Sequence, residues 1–128
     1  MERYEKGKEL GRGAFGAVYA ARRKEDGLEV AIKRVHAGLG SDGVDFTALR
    51  EIAALSQCDS EHVVRLVDVF AGKDKLFVVM ELLVCDLHRV ITNKAFPLTA
   101  GHAKAYAAQL LAGLAHLHAR WIAHRDLK

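Results

Sequence analysis

The chain of 128 residues is poor in cysteine, and its two cysteines, Cys58 and Cys85, lie far apart without metal-ligand spacing. We expect both to be small, buried or half-buried residues in a reducing compartment, which indicates the cytoplasm or the nucleus. The histidines closest together in the sequence are His116, His118 and His124. Their spacing matches no zinc pattern and no cysteine or carboxylate cluster accompanies them, so we expect no metal site.

Long apolar runs are also missing. The longest, such as Leu76–Met80 and Leu82–Val84, are far too short to span a bilayer. Met1–Lys6 lacks the apolar run that a signal peptide would have. The formal net charge is only +3, and the one short basic run, Arg22–Lys24, stands next to a turn. We therefore expect a globular protein of one domain that binds neither membranes nor nucleic acids.

Glycine, by contrast, is concentrated between Leu10 and Val18, where Gly11, Gly13 and Gly16 are spaced Gly-x-Gly-x-x-Gly. Because glycine has no Cβ, such a backbone can bring its N–H groups close to a ligand, and a concave row of N–H groups favours phosphate. The pattern alone is weak, since glycine clusters are more often ordinary turns. No helical period follows Gly16, which argues against a dinucleotide-binding loop.

Hydrophobic periodicity predicts a small antiparallel sheet with one helix, followed by two more helices. The predicted strands are Tyr4–Leu10, Ala17–Arg22, Leu28–Val35, His62–Phe70 and Lys75–Glu81, with a hairpin turn at Lys24–Gly27 and further turns or loops at 37–43 and 71–74. The predicted helices are Asp45–Gln57, a short one opened by Asp86 and ended by Asn93, and a long one. Pro97 marks the start of the long helix, and its amphipathic part is predicted at Thr99–Ala119. The long helix has a wide apolar stripe, typical of a core helix: Ala103, Tyr106, Ala107, Leu110, Leu111, Leu114, Leu117 and His118.

The third strand carries a lysine in an unusual setting. Val30 and Ile32 face one side of it, whereas Ala31 and Lys33 share the other. Lys33 either points to solvent at a strand edge, or reaches the phosphates of a flat ligand for which the small Ala31 leaves room. The residues alone leave both interpretations open.

Four segments then agree in order and context: Gly11-x-Gly13-x-x-Gly16-x-Val18, Val30-Ala31-Ile32-Lys33, a helical Glu51, and His124-Arg125-Asp126-Leu127-Lys128. Together they resemble the signature set of eukaryotic protein kinases, over essentially the whole chain. Thr47–Ile52 resembles the cyclin-contacting helix of cyclin-dependent kinases, and Met80–Leu83 with Cys85–Leu87 resembles their hinge. The chain is thus identified as similar to cyclin-dependent-kinase-like members of the CMGC group.

The resemblance implies an α+β fold within a kinase domain at 4–128. Residues 4–83 would form the N-lobe, a five-stranded antiparallel sheet plus one helix, together with the hinge at its end. Residues 84–128 would form the first helices of a truncated α-helical C-lobe. The implied function is that of a serine/threonine protein kinase that transfers phosphate from ATP to hydroxyl groups of a protein substrate, with Mg²⁺ in the complete domain.

Site residues follow from the same resemblance. Those implied in ATP binding are Leu10, Gly11, Arg12, Gly13, Ala14, Phe15, Gly16, Val18, Ala31, Lys33, Met80, Glu81, Leu83 and Asp86. Lys33 would contact the α- and β-phosphates and be held by Glu51. Asp126 would orient the substrate hydroxyl and accept its proton, and Lys128 would steady the γ-phosphate. Asp86 has an alternative interpretation as a helix N-cap.

Two departures from the family pattern matter. The threonine and tyrosine that cyclin-dependent kinases often carry in the glycine loop are here Ala14 and Phe15, which removes that phosphorylation control. The asparagine expected five residues after Asp126 and the Asp-Phe-Gly segment, which supply the metal ligands, are absent from these 128 residues.

We therefore expect a fragment that is inactive by itself, with the apolar stripe of its long helix facing water or a partner. The alternative is a non-catalytic module that binds ATP, or a cyclin-like partner through the helix Asp45–Gln57.

Overall fold

The structure, a computed structural model, describes residues 2–13, 16–36, 46–72 and 75–127. These residues form β1 (Tyr4–Gly13), β2 (Gly16–Arg23), β3 (Glu29–His36), α1 (Phe46–Ser56), β4 (Leu66–Gly72), β5 (Lys75–Glu81), α2 (Leu87–Thr92) and α3 (Ala100–His118). The chain divides into two compact units, one of Met1–Ser56 with Val64–Leu82 and one of Gln57–Val63 with Leu83–Lys128. No helix within the described residues is long and apolar enough to cross a membrane.

The first unit is built on an antiparallel sheet of order β1-β2-β3-β5-β4, so β3 is its central strand. The predicted hairpin turn joins β2 to β3, with the N–H of Gly27 donating to the carbonyl of Arg23 at 2.8 Å. Nε and NH2 of Arg23 donate to the Asp26 carboxylate at 2.9 and 2.6 Å. These hydrogen bonds hold the pKa of the Asp26 carboxyl well below its usual range.

Each face of the sheet carries its own apolar cluster. One contains Tyr4, Ala21, Val30, Ile32 and Val79, with Phe70 and Phe77 packed against it, and the rings of these two phenylalanines stack with centroids 4.9 Å apart. The other contains Val35, Val78 and Ala48, with Ile52, Leu66 and Met80 packed against it. Since Ala48 and Ile52 lie one turn apart on α1, this helix covers the second face.

The predicted fold class is confirmed, since five antiparallel strands and the helix α1 occur in the predicted order. Several strand boundaries were wrong: β1 continues beyond Leu10 to Gly13, and β4 spans Leu66–Gly72 rather than His62–Phe70. Ala71 and Gly72, predicted as turn residues, therefore belong to the strand. The residues before β4 form a turn instead, with the N–H of Val63 donating to the Ser60 carbonyl at 3.2 Å. The predicted loop at 37–43, the helix start at Asp45 and turn residues 73–74 lie outside the described residues.

In the second unit, α2 starts after Asp86 and stops before Asn93, as predicted. The predicted range Thr99–Ala119 of the long helix is confirmed, since Thr99 and Ala119 cap α3, whereas Pro97 lies before the helix. Oγ1 of Thr99 accepts the N–H of His102 at 3.3 Å, and Nδ1 of His102 accepts the N–H of Thr99 at 3.2 Å. The predicted core stripe is largely solvent-exposed on the described surface, with Leu110 and Leu111 52% and 64% exposed.

The buried position of α3 is Gly113. A Cβ there would lie 2.8 Å from the carbonyl oxygen of His62, so the helix backbone approaches the segment Gln57–Val63 closely. Arg120 Nε donates to the carbonyl of Gln57 at 2.9 Å, and Nε2 of His116 accepts the N–H of Asp59 at 3.2 Å. The helix α3 and Arg120, two residues beyond its end, thus hold this segment.

Candidate functional site

The centre of the first unit is an ion pair between β3 and α1. Lys33 Nζ lies 2.6 Å from Oε2 of Glu51 and 2.8 Å from Oε1, so both carboxylate oxygens accept from it. Lys33 stands on the central strand, paired with Val18 on one side and Val78 on the other, and its side chain is 20% exposed. The interpretation of Lys33 as a solvent-facing residue at a strand edge was therefore wrong.

The glycines of the β1–β2 hairpin differ in what surrounds them. Gly16 has φ +129°, and a Cβ there would lie 1.9 Å from the carbonyl oxygen of Arg34, so the neighbouring strand requires glycine. A Cβ on Gly11 or Gly13 would meet no described atom within 4 Å. Gly11 pairs with Val18, the cross-strand neighbour of Lys33, so the open space lies in the same row of the sheet. Ala14 and Phe15 lie outside the described residues.

Arg12, between the first two glycines, is tied back to β1. Its Nε and NH2 donate to the carboxylate of Glu9 at 3.0 and 2.9 Å, and its side chain remains 65% exposed. These hydrogen bonds lower the pKa of Glu9 and raise the pKa of Arg12 from their ordinary values. The Nε–NH2 edge of the Arg12 guanidinium, which could otherwise form a bidentate contact with a phosphate, is thus occupied by the Glu9 carboxylate.

Small and apolar side chains share the sheet face of Lys33. Ala31 is 8% exposed and pairs directly with Ala20 on β2 and Met80 on β5. Direct cross-strand neighbours point to the same side of a sheet, so Val18, Ala31 and Met80 share this face with Lys33. Leu10 is 45% exposed at the outer strand of this hairpin. The structure therefore brings three of the residues predicted to bind ATP, Val18, Ala31 and Met80, onto the face of Lys33.

A hydrogen-bonded clasp at the end of β5 was not predicted. The Glu81 carboxylate accepts the N–H of Arg65 at 2.7 Å, and the N–H of Glu81 donates to the carbonyl of Arg65 at 3.1 Å. The clasp lies just before the register shift between Leu66 and Asp68 in the β4–β5 ladder. It fixes the backbone at Glu81, where the resemblance places contacts to a ligand. An acidic residue at a strand end gave no signal of this role.

The remaining predicted site residues belong to the second unit. Asp86 Oδ1 accepts the N–H of Arg89 at 2.7 Å, which confirms its interpretation as the N-cap of α2. Leu83 is 60% exposed. The N–H of Asp126 donates to Nδ1 of His124 at 3.2 Å, in the irregular segment after α3. Lys128 lies outside the described residues.

The resemblance implies that Mg²⁺ binds in the complete domain, so the donor atoms that the described residues bring together decide which of them could hold it. In the part of the chain that the structure describes, no three side chains of histidine, cysteine, aspartate or glutamate come together where a metal ion could bind. Magnesium prefers several oxygen ligands in octahedral geometry. We therefore assign Mg²⁺ no ligand among the described residues.

A glycine hairpin on an antiparallel sheet, with a central-strand lysine paired to a helix glutamate, is the arrangement of a protein-kinase N-lobe. Residues 4–128 match the model of the protein kinase domain, and the chain belongs to this family. The resemblance inferred from the four motifs is thus confirmed.

The curated relatives include kinases of the cyclin-dependent type. The chain is 41% identical to serine/threonine-protein kinase crk1 of Schizosaccharomyces pombe, over 98% of this chain and 37% of that protein. It is 39% identical to cyclin-dependent kinase D-1 of Arabidopsis thaliana, over 99% of this chain and 32% of the relative. It is also 39% identical to cyclin-dependent kinase 7 of Xenopus laevis, over 99% and 37% of the respective lengths. The chain therefore spans about a third of the length of these relatives.

Proposed function

We propose that this chain binds ATP and provides the nucleotide-binding part of a serine/threonine protein kinase. The observation that carries the proposal is the two-point ion pair between Lys33 and Glu51. A lysine ammonium is a compact point charge on a flexible stem, so it acts on a phosphate only when something holds it in place. Glu51 on α1 holds the ammonium of Lys33 on β3, at the sheet face on which a nucleotide would lie.

The space beside the glycines supports the same proposal. Nothing described occupies the positions of a Cβ on Gly11 or Gly13, so the packing of the described residues gives no reason for glycine there. Close approach of a phosphate to the backbone N–H groups is such a reason. In this proposal the adenine lies against Leu10, Val18 and Ala31. Further contacts within the first unit come from Met80 and the backbone of Glu81.

The catalytic roles are proposed for the kinase domain as a whole, which we take to begin at Tyr4. Asp126 accepts the proton of the substrate hydroxyl, and Lys128 steadies the transferred phosphate. These 128 residues contain neither an Asp-Phe-Gly segment nor an asparagine five positions after Asp126. We therefore expect them to bind ATP without transferring its phosphate. Magnesium-dependent labelling of a generic protein substrate by the purified chain would contradict this expectation.

Titration with a fluorescent ATP analogue tests nucleotide binding. Lys33→Met keeps the length of the side chain but removes its charge, and we expect it to weaken binding by about tenfold or more. Lys8→Met is the matched control, since Lys8 is an exposed lysine of β1 outside the ion pair. Equal affinity of the unchanged chain and of Lys33→Met would refute the role of Lys33. Failure of the unchanged chain to bind would refute the proposed function of these residues.

A cyclin partner is the second proposal, and it rests on the exposed side of α1. Ala48 and Ile52 pack on the sheet, whereas Leu49 is 43% exposed and Arg50 is exposed. A partner that binds at Leu49 contacts the helix that also carries Glu51, and it can therefore shift the Lys33–Glu51 ion pair by moving this helix. The names of two of the relatives above include the words cyclin-dependent kinase.

A pull-down with a purified cyclin tests this second proposal. Leu49→Asp is expected to reduce capture by about tenfold or more, because a charge replaces an apolar contact. Leu110→Asp is the matched control, since Leu110 is a similarly exposed leucine, 52% accessible, on α3. Equal loss in both variants would show non-specific apolar capture, and no capture of the unchanged chain would count against the partner.

A further inference from the structure

Away from the Lys33–Glu51 pair, the first unit contains a cavity of about 380 Å³. Three segments distant in sequence form it: the residues at the start of β1, the turn after β2, and β4. The N–H of Lys24 donates to the carbonyl of Arg3 at 3.0 Å, which holds the first two segments together. Its volume lies within the range of small-ligand sites, roughly 300–1,000 Å³.

Basic side chains dominate the lining, with Arg3, Arg23 and Lys24 against the carboxylates of Asp68 and Glu25. Both carboxylate oxygens of Asp68 already have partners within the protein. Oδ2 accepts from the Tyr4 hydroxyl and from NH2 of Arg3, both at 3.0 Å, and Oδ1 accepts the N–H of Val69 at 2.9 Å. Its charge is therefore largely satisfied within the protein and repels an incoming anion less than a free carboxylate would.

Cationic donors remain available around the same cavity. Arg23 uses Nε and NH2 on Asp26, and among the described residues its NH1 has no partner. Arg3 contributes only NH2 to Asp68. The ammonium of Lys24 has no hydrogen-bond or ion-pair partner within the described ranges. Together these groups offer the remaining guanidinium N–H donors of Arg3 and Arg23 and the ammonium of Lys24, all of which can donate hydrogen bonds to a phosphate.

The apolar part of the lining is contributed by Tyr4 and Val67, which we call the floor of the cavity. Tyr4 is 5% exposed, its ring stacks on Phe70 with centroids 5.8 Å apart, and Val67 lines the wall beside it. A ligand that fills this cavity therefore combines a flat or apolar body with an anionic group. Inorganic phosphate would satisfy the cations but leave the floor uncovered, and a neutral ring would do the opposite.

We propose that this cavity is a binding site for a phosphate monoester carried on an aromatic ring, with Lys24, Arg3 and Arg23 holding the phosphate over the floor of Tyr4 and Val67. The free metabolite and the phosphorylated tyrosine of a peptide share this chemistry. The site is separate from the sheet face that carries Lys33 and does not depend on the proposed ATP binding.

The test is an NMR titration of the ¹⁵N-labelled 128-residue chain with phenyl phosphate, inorganic phosphate and phenol. We expect phenyl phosphate to shift the amide signals of Arg3, Lys24 and Val67, and to bind at least about fivefold tighter than either other probe. A phosphotyrosine peptide then distinguishes the two sources. Tighter binding of the peptide than of phenyl phosphate indicates a protein ligand, and equal or weaker binding indicates the small molecule.

Three variants locate the binding. Lys24→Gln is expected to weaken phenyl phosphate binding about fivefold with an unchanged unfolding temperature, because Lys24 lies in an exposed turn. Lys8→Gln removes the same charge elsewhere on the first unit and should leave the affinity unchanged. Lys33→Met should also leave it unchanged. Loss of binding in Lys33→Met but not in Lys24→Gln would place the probe at the nucleotide face and overturn the proposal, as would equal loss in Lys8→Gln and Lys24→Gln or no binding at all.

Discussion

Gly16 and Arg34 approach each other so closely that position 16 has no room for a side chain. A Cβ there would lie 1.9 Å from the Arg34 carbonyl oxygen, and φ at Gly16 is +129°. Gly13, on the other strand of the same hairpin, has no described atom within 4 Å of its Cβ position. The two glycines of one motif therefore have different roles: Gly16 allows close packing against Arg34, whereas Gly13 leaves open space beside the backbone.

Replacing each glycine by alanine separates these roles. Gly16→Ala should destabilise the protein by about 3 kcal/mol, through backbone strain and overlap with Arg34. Gly13→Ala should change the free energy of unfolding by no more than about 0.5 kcal/mol, yet weaken binding of an ATP analogue. Denaturant unfolding and nucleotide titration of both variants check this. A neutral Gly16→Ala would contradict the assigned overlap.

Glu51→Gln tests what the ion pair does. Glu51 is 40% exposed, so losing its charge should cost less than about 1 kcal/mol of stability. Because glutamine attracts the ammonium of Lys33 less strongly, we expect the affinity for an ATP analogue to fall on the order of tenfold. If stability fell strongly while affinity stayed constant, the pair would be a structural element only.

Glu81→Ala should open the clasp to Arg65. The N–H of Arg65 loses its acceptor, which should cost about 1 kcal/mol and speed hydrogen exchange at that amide. Glu81→Gln keeps a carbonyl oxygen at the same place and should preserve most of the protection. Exchange at Arg65 measured by NMR decides the point, and unchanged protection in the alanine variant would show that the carboxylate is dispensable.

Gly113→Ala should destabilise the second unit by about 1–2 kcal/mol. The added methyl group must displace the His62 carbonyl, which lies 2.8 Å from the Cβ position, and this outweighs the better helix propensity of alanine. Gly101→Ala is the control, because its nearest neighbour is Oγ1 of Thr99 at 3.5 Å, an ordinary contact. It should be neutral or mildly stabilising. Equal thermal shifts in the two variants would contradict close docking of the segment.

Stability at alkaline pH should depend on Tyr4. Burial and then the hydrogen bond to Asp68 raise the pKa of Tyr4 above its ordinary value of 10.0. The folded state favours the protonated phenol, so this contribution is intact below pH 10 and is lost as the pH rises through the folded-state pKa. Tyr4→Phe should be less stable at neutral pH by about 1 kcal/mol, but lose stability less steeply from about pH 10 upward. Denaturant unfolding across this range measures both slopes, and equal slopes would contradict the assignment.

The strands could be predicted because runs of β-branched and other apolar residues favour strands, and the alternation along a strand shows which side chains share a face. Val30 and Ile32 lie in one cluster as predicted, and Val35 lies in the other. The start of β4 could not be predicted, since Val63 and Val64 look like strand residues. Hydrogen bonds to Ser60 decide against it, because they turn the chain just before that point.

The candidate site, like the fold, could be predicted only in part. Lys33 and Glu51 were placed together only through the family resemblance, because 18 residues separate them and no local period links them. The clasp at Glu81 and the docking at Gly113 escaped prediction for one reason. Each depends on a backbone group of a distant residue, Arg65 or His62, and a backbone group leaves no trace in the residue types.

The segment Gln57–Val63 belongs to the compact unit of α3, although α1 before it and β4 after it belong to the other unit. The two units are therefore not consecutive stretches of polypeptide, and no single cut separates them. A shortened protein ending at Leu82 would retain this segment but lose its docking partners Gly113, His116 and Arg120. Isolating the first unit therefore requires a short polar linker in place of 57–63, so that the ends of α1 and β4 are joined without an undocked loop.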